Sequence, residues 1–459
     1  MKIIILGAGQ VGCNIARFLS MENQDDITIV DQSPELLKQV TERMDIQPIL
    51  GFASDPDVLE SAGAADADIL VAVTGSDEIN IVACEVANSL FKVKTKIARI
   101  RNQHYLNPDW SELFSQNHLA VDVTISPEVE IAKSIARSIE ISGAFDVLSL
   151  LHDAAKFIGI RPKPSSSLIH TPIKMIPGIF SQFPVNPCVI AREGKIFIPR
   201  PEDQILPQDE VYCLVSTQNA NKLMRAFGYS AQPERRVIIM GGGLIGLNLA
   251  RQIEEQLPKI QVKIIEKNNN RAETIARRLH HSEVLCGDAL DYDVLLEAGI
   301  AATETVVVVT QDDKVNILSS LLAKRQGANR ALALLNNMGY ASLVTSLGVD
   351  AIVDPRAVTV ASIIQHTRKG RARSVHTLGE GRMEVIEAEA KESSGVIGLN
   401  VADISVAGQI YVPVIKRGSQ LIEEPTKNVI KSGDRLVIIA AKSSVKKIEK
   451  LFALKPSYL

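Results

Sequence analysis

Short apolar runs alternate with segments of helical spacing in two separate stretches of this 459-residue chain. In the first stretch the runs predict strands at 2–6, 27–31, 69–74 and 96–101, with a helix at 80–91. In the second stretch they predict strands at 236–240, 262–266, 305–310 and 330–335. The runs are continuously apolar, which is typical of parallel strands covered by helices on both faces. Each stretch is therefore predicted to form a doubly wound, Rossmann-like α/β sheet.

The chain consists of two copies of one repeat unit. GAGQVG at 7–12 corresponds to GGGLIG at 241–246, and AGAADADILVAVT at 62–74 corresponds to AGIAATETVVVVT at 298–310. Weaker similarity continues downstream, between 194–198 and 418–422. We predict tandem Rossmann-like domains at 1–125 and 232–352, followed by small α+β domains at 140–226 and 370–455, respectively. The polar stretch 232–235 is interpreted as the linker between the two halves.

The first glycine turn has the context that a dinucleotide-binding motif requires, because it follows a strand and opens a helix. Gly7 permits the tight turn, Gly9 lets the backbone approach a pyrophosphate, and Gly12 lets the helix pack close to the sheet. Asp31 ends the second strand, where a carboxylate accepts hydrogen bonds from a ribose and repels a 2′-phosphate. The sequence therefore favours NAD(H) over NADP(H).

The second half repeats this arrangement with Gly241, Gly243, Gly246 and Glu266. In both halves the alternative interpretation is that the glycines form a tight strand–helix turn without any ligand.

Three more positions fall at the carboxyl edge of the predicted sheets. Thr74-Gly75 and Thr310-Gln311 follow a strand, and could contact a ribose or phosphate or cap the next helix. Arg99 could pair with a phosphate oxygen, and the second half has Leu or Ala at that place. The two sites are therefore expected to differ.

Composition and charge exclude several classes of protein. The 50 Lys and Arg nearly balance the 53 Asp and Glu, which argues against bulk binding of nucleic acid. No apolar run approaches the ~20 residues that span a bilayer, and a cytoplasmic protein is expected.

The five cysteines form no CxxC pair and are expected to be buried, reduced thiols without a metal or catalytic role. The basic run at 366–373 is expected to be a solvated helix end or a contact with acidic lipid or an acidic partner.

Over essentially its whole length the sequence resembles the TrkA family, the peripheral regulatory subunits of bacterial Trk potassium uptake systems. The resemblance is carried by MKIIILGAGQVG at 1–12, Asp31, DADILVAVTGSDEIN at 66–80 and KIARIRN at 96–102. Each repeat is similar to an RCK (KTN) module, the nucleotide-sensing element of many potassium channels and transporters.

The resemblance implies a regulator without enzymatic activity that binds NAD(H), and ATP or ADP, in its Rossmann clefts. It implies a homo-oligomer, a tetrameric cytosolic gating ring of eight RCK units, docked at the cytoplasmic side of the inner membrane. The partner would be a potassium-conducting TrkH- or TrkG-type subunit, and nucleic acid is not an expected partner. Helices after Val121-Asp122 and Val349-Asp350 would join the Rossmann units to their neighbours. The implied binding residues are Gly7, Ala8, Gly9, Gln10, Val11, Asp31, Thr74, Gly75 and Arg99, and Gly241, Gly242, Gly243, Leu244, Ile245, Glu266 and Thr310.

The main alternative is an NAD-dependent oxidoreductase, in which an acid or base must lie beside the nicotinamide. His152 and His170 fall in the first small domain, but the second copy has no matching pair. A nucleotide-binding transcription regulator is the other alternative, and the balanced charge and the lack of a helix-turn-helix pattern argue against it.

Overall fold

The computed structural model describes the chain except for residues 21–25, 43, 103, 115–117, 181–182, 230–235, 368–371, 380–381, 424 and 453–459. The described residues form two six-stranded parallel sheets and two five-stranded antiparallel sheets. The predicted fold class is therefore confirmed. The predicted linker 232–235 and half of the basic run 366–373, residues 368–371, lie outside the described residues.

The first parallel sheet contains β1 (Lys2–Leu6), β2 (Asp26–Asp31), β3 (Gln47–Leu50), β4 (Ile69–Ala72), β5 (Thr95–Arg99) and β6 (Val123–Ile125). Its strand order is β3-β2-β1-β4-β5-β6. The four predicted strands are confirmed within one or two residues. β3 had no apolar run to predict it, because Pro48 interrupts this mostly exposed edge strand.

Helices cover both faces of this sheet: α1 (Gln10–Ser20), α2 (Pro34–Thr41), α3 (Pro56–Ser61) and α4 (Asp77–Ser89). Ile3 and Ile5 pack on the side of α1, and Ile4 and Leu6 pack on the side of α3 and α4. Successive residues of a strand point to opposite faces, so burial on both faces makes β1 apolar at every position after Lys2.

The first small domain follows α5 (Pro127–Glu140). It contains β7 (Asp146–Leu150), β8 (Ala155–Ile160), β9 (Asn186–Arg192), β10 (Lys195–Phe197), β11 (Glu210–Ser216), α6 (Ile176–Ile179) and α7 (Ala220–Ala226). The strand order is β10-β9-β11-β8-β7, with antiparallel neighbours.

The second parallel sheet contains β12 (Arg236–Met240), β13 (Gln261–Glu266), β14 (Glu283–Cys286), β15 (Thr305–Val308), β16 (Arg330–Leu334) and β17 (Ala351–Val353). Its order, β14-β13-β12-β15-β16-β17, reproduces that of the first sheet. The helices of this half are α8 (Leu244–Gln256), α9 (Asn269–Ala276), α10 (Tyr292–Ala298), α11 (Asp313–Arg325), α12 (Ala341–Ser346) and α13 (Pro355–Thr367).

The second small domain contains β18 (Ala372–Leu378), β19 (Met383–Glu389), β20 (Ile410–Arg417), β21 (Gln420–Glu423), β22 (Arg435–Ala441), α14 (Val401–Ile404) and α15 (Val445–Phe452). Its order is β18-β19-β22-β20-β21. An ion pair between a partly exposed arginine and a buried aspartate recurs in both small domains, Arg192–Asp209 at 2.8 Å in the first and Arg417–Asp434 at 2.7 Å in the second.

The chain divides into two compact units. The first unit consists of Met1–Ala132 and Asp354–Thr367, so it contains the first parallel sheet together with α13. Val360 and Ile363 of α13 are buried in the same core cluster as Ile15 and Leu19 of α1. The helix that follows the second parallel sheet in sequence thus completes one face of the first, as the resemblance implies.

The second unit consists of Lys133–Val353 and Arg368–Leu459. Within it, the two small domains share one hydrophobic core, to which Phe157 and Ile439 contribute. The buried Glu387 carboxylate accepts a hydrogen bond from the Leu151 amide at 2.8 Å, which links one small domain to the other.

A second link between the small domains joins His376 Nε2 to Asp146 Oδ2 at 3.0 Å. Burial opposes the charge on both groups, but their mutual attraction outweighs it. The pKa of His376 is consequently raised from 6.5, and the pKa of Asp146 is lowered from 3.8. The pair is therefore favoured in its ionised form.

The five thiols are all unbridged. Cys84, Cys188 and Cys213 are buried as predicted, and burial raises the pKa of Cys84 to about 12. The prediction is wrong for Cys13, which is partly buried, and for Cys286, which is exposed. Cys286 is the last residue of the edge strand β14, where the sheet offers little cover.

Candidate functional site

A cleft of about 610 Å³ opens at the carboxyl edge of the first parallel sheet. It lies where the strand order reverses between β1 and β4, which is where doubly wound sheets bind ligands. Its lining includes eight of the nine residues proposed for the first half, namely Gly7, Gly9, Gln10, Val11, Asp31, Thr74, Gly75 and Arg99. The ninth, Ala8, is fully buried beneath the turn.

The glycine turn leaves the start of α1 open to the cleft. Gly7 has φ +108°, which disfavours any residue with a side chain. A Cβ on Gly12 would lie 1.8 Å from the Gly7 carbonyl oxygen, whereas one on Gly9 would meet no atom within 4 Å. The close approach therefore requires Gly12. The open side of Gly9 faces the place where an anion would meet the first amides of the helix.

Asp31 closes the turn from the neighbouring strand. Its Oδ2 accepts a hydrogen bond from the Ala8 amide at 2.6 Å, and its Oδ1 accepts one from the Ser33 amide at 2.9 Å. These bonds fix the carboxylate in the cleft, and each carboxylate oxygen can accept a further hydrogen bond. Asp31 can therefore receive hydroxyl groups of a ribose without moving.

Asn80 ties the ends of β4 and β5 together from beneath the cleft. Its Oδ1 accepts hydrogen bonds from the Thr74 amide at 2.9 Å and the Thr74 hydroxyl at 2.7 Å. Its Nδ2 donates to the Arg99 carbonyl oxygen at 2.9 Å. The cap of α4 is Ser76 rather than Thr74. The Thr74 hydroxyl proton is thus used within the protein, and a ligand would meet the hydroxyl oxygen or the Gly75 backbone.

Two guanidinium groups line the cleft. Arg99 lines the cleft, and its Nε is buried without a hydrogen-bond partner among the described residues. A guanidinium group at this edge can pair with a phosphate oxygen. Arg101 also lines the cleft, and our sequence interpretation missed it. The sequence did indicate it, because Arg101 lies two residues after Arg99, and residues two apart on an extended segment point to the same side.

The second glycine turn has the same backbone geometry as the first, but its neighbouring side chains differ in size. Gly241 has φ +108°, and a Cβ on Gly246 would lie 2.0 Å from the Gly241 carbonyl oxygen. A Cβ on Gly242, the counterpart of Ala8, would lie 2.3 Å from Ile275 Cδ1 and 3.0 Å from Glu266 Oε2. Glu266 is longer than Asp31 and fills the space beside the turn. The residue there is therefore glycine, Gly242, where the first half has Ala8.

Glu266 occupies the place of Asp31 and is more enclosed. It accepts hydrogen bonds from the Gly242 and Asn268 amides, both at 2.8 Å. The Arg271 guanidinium lies 3.7 Å from Oε1, the carboxylate oxygen that accepts from the Asn268 amide, and only 7% of the Glu266 side chain is exposed. Less of this carboxylate is consequently open to a ribose.

The second half has no arginine at the phosphate side. Ala333 pairs with Val308 as Ala98 pairs with Ala72, which places Leu334 at the position of Arg99. Two residues further on, Asn336 stands at the position of Arg101. The prediction that Leu or Ala replaces Arg99 is confirmed, and the loss extends to a second cation.

The remaining residues proposed for the second half lie around this turn. Leu244 and Ile245 begin α8 after the Gly243 cap, and Leu244 is 43% exposed where the first half has Gln10. The Thr310 amide donates to Asn316 Oδ1 at 3.0 Å, as Thr74 does to Asn80. Both halves therefore share the polar link beneath the edge and an acidic residue, but not the two arginines.

The described part of the chain offers no cluster of three His, Cys, Asp or Glu side chains for a metal. No helix in that part is both long and apolar enough to span a bilayer. The charged side chains that line the first cleft are Asp31, Arg99 and Arg101. This combination suits an anionic ligand that carries a ribose.

Comparison with known proteins supports the repeat and the fold. The model of the TrkA-N domain family matches residues 3–127 and 237–355. The chain is 40% identical to the Trk system potassium uptake protein TrkA of Azorhizobium caulinodans and 36% identical to that of Halomonas elongata, and each match covers 98% of both chains.

Among solved structures, the GsuK RCK domain is similar with a TM-score of 0.59 at 18% identity, over 98% of this chain and 94% of the other. The GsuK channel bound to NAD gives a TM-score of 0.59 at 17% identity, over 98% and 78% of the two chains. At these identities the similarity establishes the fold alone.

Proposed function

The chain belongs to the TrkA family, and we propose on this basis that it is a nucleotide-binding regulatory subunit of a potassium uptake system. Its ligands are NAD(H), and ATP or ADP. It acts as a peripheral protein at the cytoplasmic side of the inner membrane, together with a membrane-embedded TrkH- or TrkG-type subunit. Its domains are those predicted from the repeat, at 1–125, 140–226, 232–352 and 370–455.

The observation that carries this proposal is the cleft of the first half. Gly9 with its open side, the anchored Asp31 carboxylate and Arg99 line one cavity. Together they supply a place for a pyrophosphate, an acceptor for ribose hydroxyls and a cation for a phosphate oxygen. Asp31 also repels a 2′-phosphate, so NAD(H) is favoured over NADP(H).

Regulation would follow from differential binding. A ligand that binds one conformation of a tetrameric ring of eight RCK units more tightly shifts the ring towards that conformation by its difference in affinity. A coupling free energy of ~1–3 kcal/mol between the cleft and the membrane subunit would change opening by roughly 5- to 150-fold. No covalent chemistry is needed for such a role.

The charges around the cleft support a sensor over an oxidoreductase. Asp31 is the one general acid or base in the described lining, and its two oxygens are engaged with backbone amides. Hydride transfer needs such a group beside the nicotinamide. We expect NADH to remain unconsumed when candidate substrates are added, and steady oxidation of NADH would favour the enzyme instead.

Calorimetric titration of the full chain with NADH, ADP and ATP tests the proposal. We expect Asp31→Ala to weaken NADH binding at the first site, while the chain stays folded with about 1–3 kcal/mol less free energy of unfolding in urea, because the Ala8 amide loses its acceptor. Glu266→Ala is the matched variant for the second site, where the enclosed carboxylate predicts a smaller change. If none of the three nucleotides binds at micromolar concentration, the glycine turns are structural and the proposal fails.

The membrane role needs a separate measurement. Potassium flux into vesicles that contain the membrane subunit is expected to respond to the nucleotides only when this chain is added. The Asp31→Ala chain should restore flux without that response. Flux that is indifferent to both chains would contradict the regulatory role even if nucleotides bind.

A further inference from the structure

The helix α10 of the second Rossmann-like domain has a counterpart in α3 of the first, and the two helices pack on their sheets in the same way. An aspartate side chain caps the first turn of each helix, Asp55 in α3 and Asp291 in α10. The positions that face the sheet carry identical residues, Val58, Leu59 and Ala62 in the first copy and Val294, Leu295 and Ala298 in the second. The repeat therefore conserves the inner side of the helix.

The outer side of the helix differs between the two copies. In the second copy Leu290, Tyr292 and Leu296 are 37%, 60% and 51% exposed. The first copy has at these positions Ser54, Pro56 and Glu60. The same fold is thus built in the first copy without any of the three apolar side chains. Neighbouring apolar side chains that are exposed and that the fold does not need are typical of an interaction surface.

The three apolar residues lie beside an acidic stripe. Tyr292 and Leu296 are four residues apart on α10, so they lie on the same side of the helix, one turn apart. Leu290 directly precedes the cap, at the same end of the helix as Tyr292. Asp293 and Glu297 are also four residues apart and form the neighbouring stripe. We refer to these five residues as the α10 face.

The acidic stripe is not neutralised by the part of the chain that the structure describes. No cationic side chain there lies within ion-pair distance of Asp293 or Glu297, and Lys267, which follows β13, is paired with Asp288 at 2.8 Å. Like charges four residues apart destabilise a helix. The first copy avoids this repulsion, because Ser61 stands at the position of Glu297. The second copy therefore carries a charge arrangement that its own fold does not require.

An apolar stripe beside unpaired carboxylates matches a segment rich in lysine or arginine. The apolar stem of such a side chain packs on apolar surface while its charged end pairs with a carboxylate. The ring of Tyr292 can also accept a cation on its face. Anionic lipid headgroups fit this surface poorly, because the acidic stripe repels them. A second α10 face fits poorly as well, because a symmetric contact would bring the same carboxylates together.

We propose that the α10 face is the docking surface for a lysine- or arginine-rich cytoplasmic segment of the membrane-embedded subunit. The cytoplasmic loops of membrane proteins carry an excess of these residues, so such a subunit presents the matching charge next to the bilayer. This inference rests on the proposed function. It assigns different tasks to the two copies, because the first holds the arginines for a nucleotide and the second presents the surface for the partner.

Binding of the full chain to the membrane subunit in nanodiscs tests the inference. The triple variant Leu290→Ser, Tyr292→Pro and Leu296→Glu installs the residues of the first copy, where Pro56 is likewise the first residue of its helix. It should therefore keep the unfolding midpoint of the wild type in urea and bind NADH like the wild type. We expect it to bind the subunit at least about tenfold more weakly. Leu50→Ser is the control, because it removes an exposed leucine from the first copy, and it should bind the subunit like the wild type.

A second pair of variants tests the acidic stripe. Asp293→Lys combined with Glu297→Lys reverses its charge, and we expect it to weaken binding to the subunit at least about tenfold. The remaining binding should depend less on salt concentration, because fewer opposite charges meet. Asp57→Lys combined with Ser61→Lys is the matched control, since it places the same residues at the same positions of α3, and it should bind like the wild type.

The inference is overturned if the triple variant binds the subunit as tightly as the wild type. It is also overturned if that variant changes the mass of the oligomer in light scattering, because the face would then join copies of this chain. Binding of the wild type, but not of the triple variant, to phosphatidylglycerol vesicles without the subunit would make the face a lipid contact and overturn it too. If the wild type itself does not bind the subunit, the proposed membrane role fails, and the inference fails with it.

Discussion

Gly9 and Gly12 lie in one turn, and the structure predicts opposite consequences when each is replaced by alanine. A Cβ on Gly9 would meet no atom of the protein within 4 Å, whereas a Cβ on Gly12 would lie 1.8 Å from the Gly7 carbonyl oxygen. Gly9→Ala should therefore affect the ligand, and Gly12→Ala should affect the fold.

The magnitudes follow from these distances. For Gly9→Ala we expect the free energy of unfolding to change by at most about 1 kcal/mol, because only backbone entropy and capping are altered. The methyl group would hold a pyrophosphate away from the first amides of α1. Loss of two charge-assisted hydrogen bonds at ~1.5 kcal/mol each corresponds to about 100-fold weaker binding.

For Gly12→Ala the helix must move by more than 1 Å to relieve the clash. Overpacking of this kind costs about 3 kcal/mol, and the better helix propensity of alanine offsets ~1 kcal/mol. We expect a net loss of about 2 kcal/mol in the free energy of unfolding.

Urea denaturation and calorimetric titration with NADH, carried out on both variants, separate the two effects. Gly243→Ala is a further control, because it makes the same change in the second turn, where a Cβ also meets no atom within 4 Å. The reasoning is refuted if Gly9→Ala binds NADH like the wild type, or if Gly12→Ala unfolds at the wild-type midpoint.

Three further predictions concern polar groups that are wholly or partly buried. Asn80→Ala should lower the free energy of unfolding by about 2–3 kcal/mol, because Asn80 is fully buried and hydrogen-bonded to the ends of two strands. An unchanged unfolding midpoint in urea would contradict this. Asp209→Asn should cost about 1–3 kcal/mol, because it removes the charge that the partly exposed Arg192 pairs with, and the same assay measures this loss. The pKa of His376 is raised and that of Asp146 is lowered by their pairing. The pair therefore stabilises the protein fully between the ordinary pKa of an aspartate and that of a histidine, about pH 4 to 6.5. That stability should be lost as the pH rises through the folded pKa of His376, and His376→Gln should make the unfolding midpoint less dependent on pH between 6 and 8.

The glycine turns and their acidic partners could be predicted because backbone geometry dictates them. Only glycine tolerates the φ of Gly7 and the approach at Gly12, so these requirements appear directly in the sequence. The acid at the end of β2 is equally visible, because it closes an apolar run. Repetition in the second half strengthened both predictions.

Features that depend on tertiary contacts were less visible. Asn80 could be matched to its counterpart in the other half, but its bond to the Arg99 carbonyl oxygen joins residues that are far apart in sequence. The solvent-exposed edge strand β3 has no periodic pattern of its own. The exposure of Cys286 likewise depends on which strand lies at the edge, and the local apolar run does not reveal this.

The path of α13 has a consequence for synthesis of the chain. The first unit needs Val360 and Ile363 for its core, and these residues leave the ribosome more than 220 residues after Ala132. At a synthesis rate of about 5–20 residues per second, one apolar face of the first domain stays uncovered for roughly 10–50 s. During that interval the nascent chain is exposed to chaperones, proteases and mispairing with other copies. Truncation before α13 would make that exposure permanent, so the first Rossmann-like domain depends on the second half of the chain for a complete core.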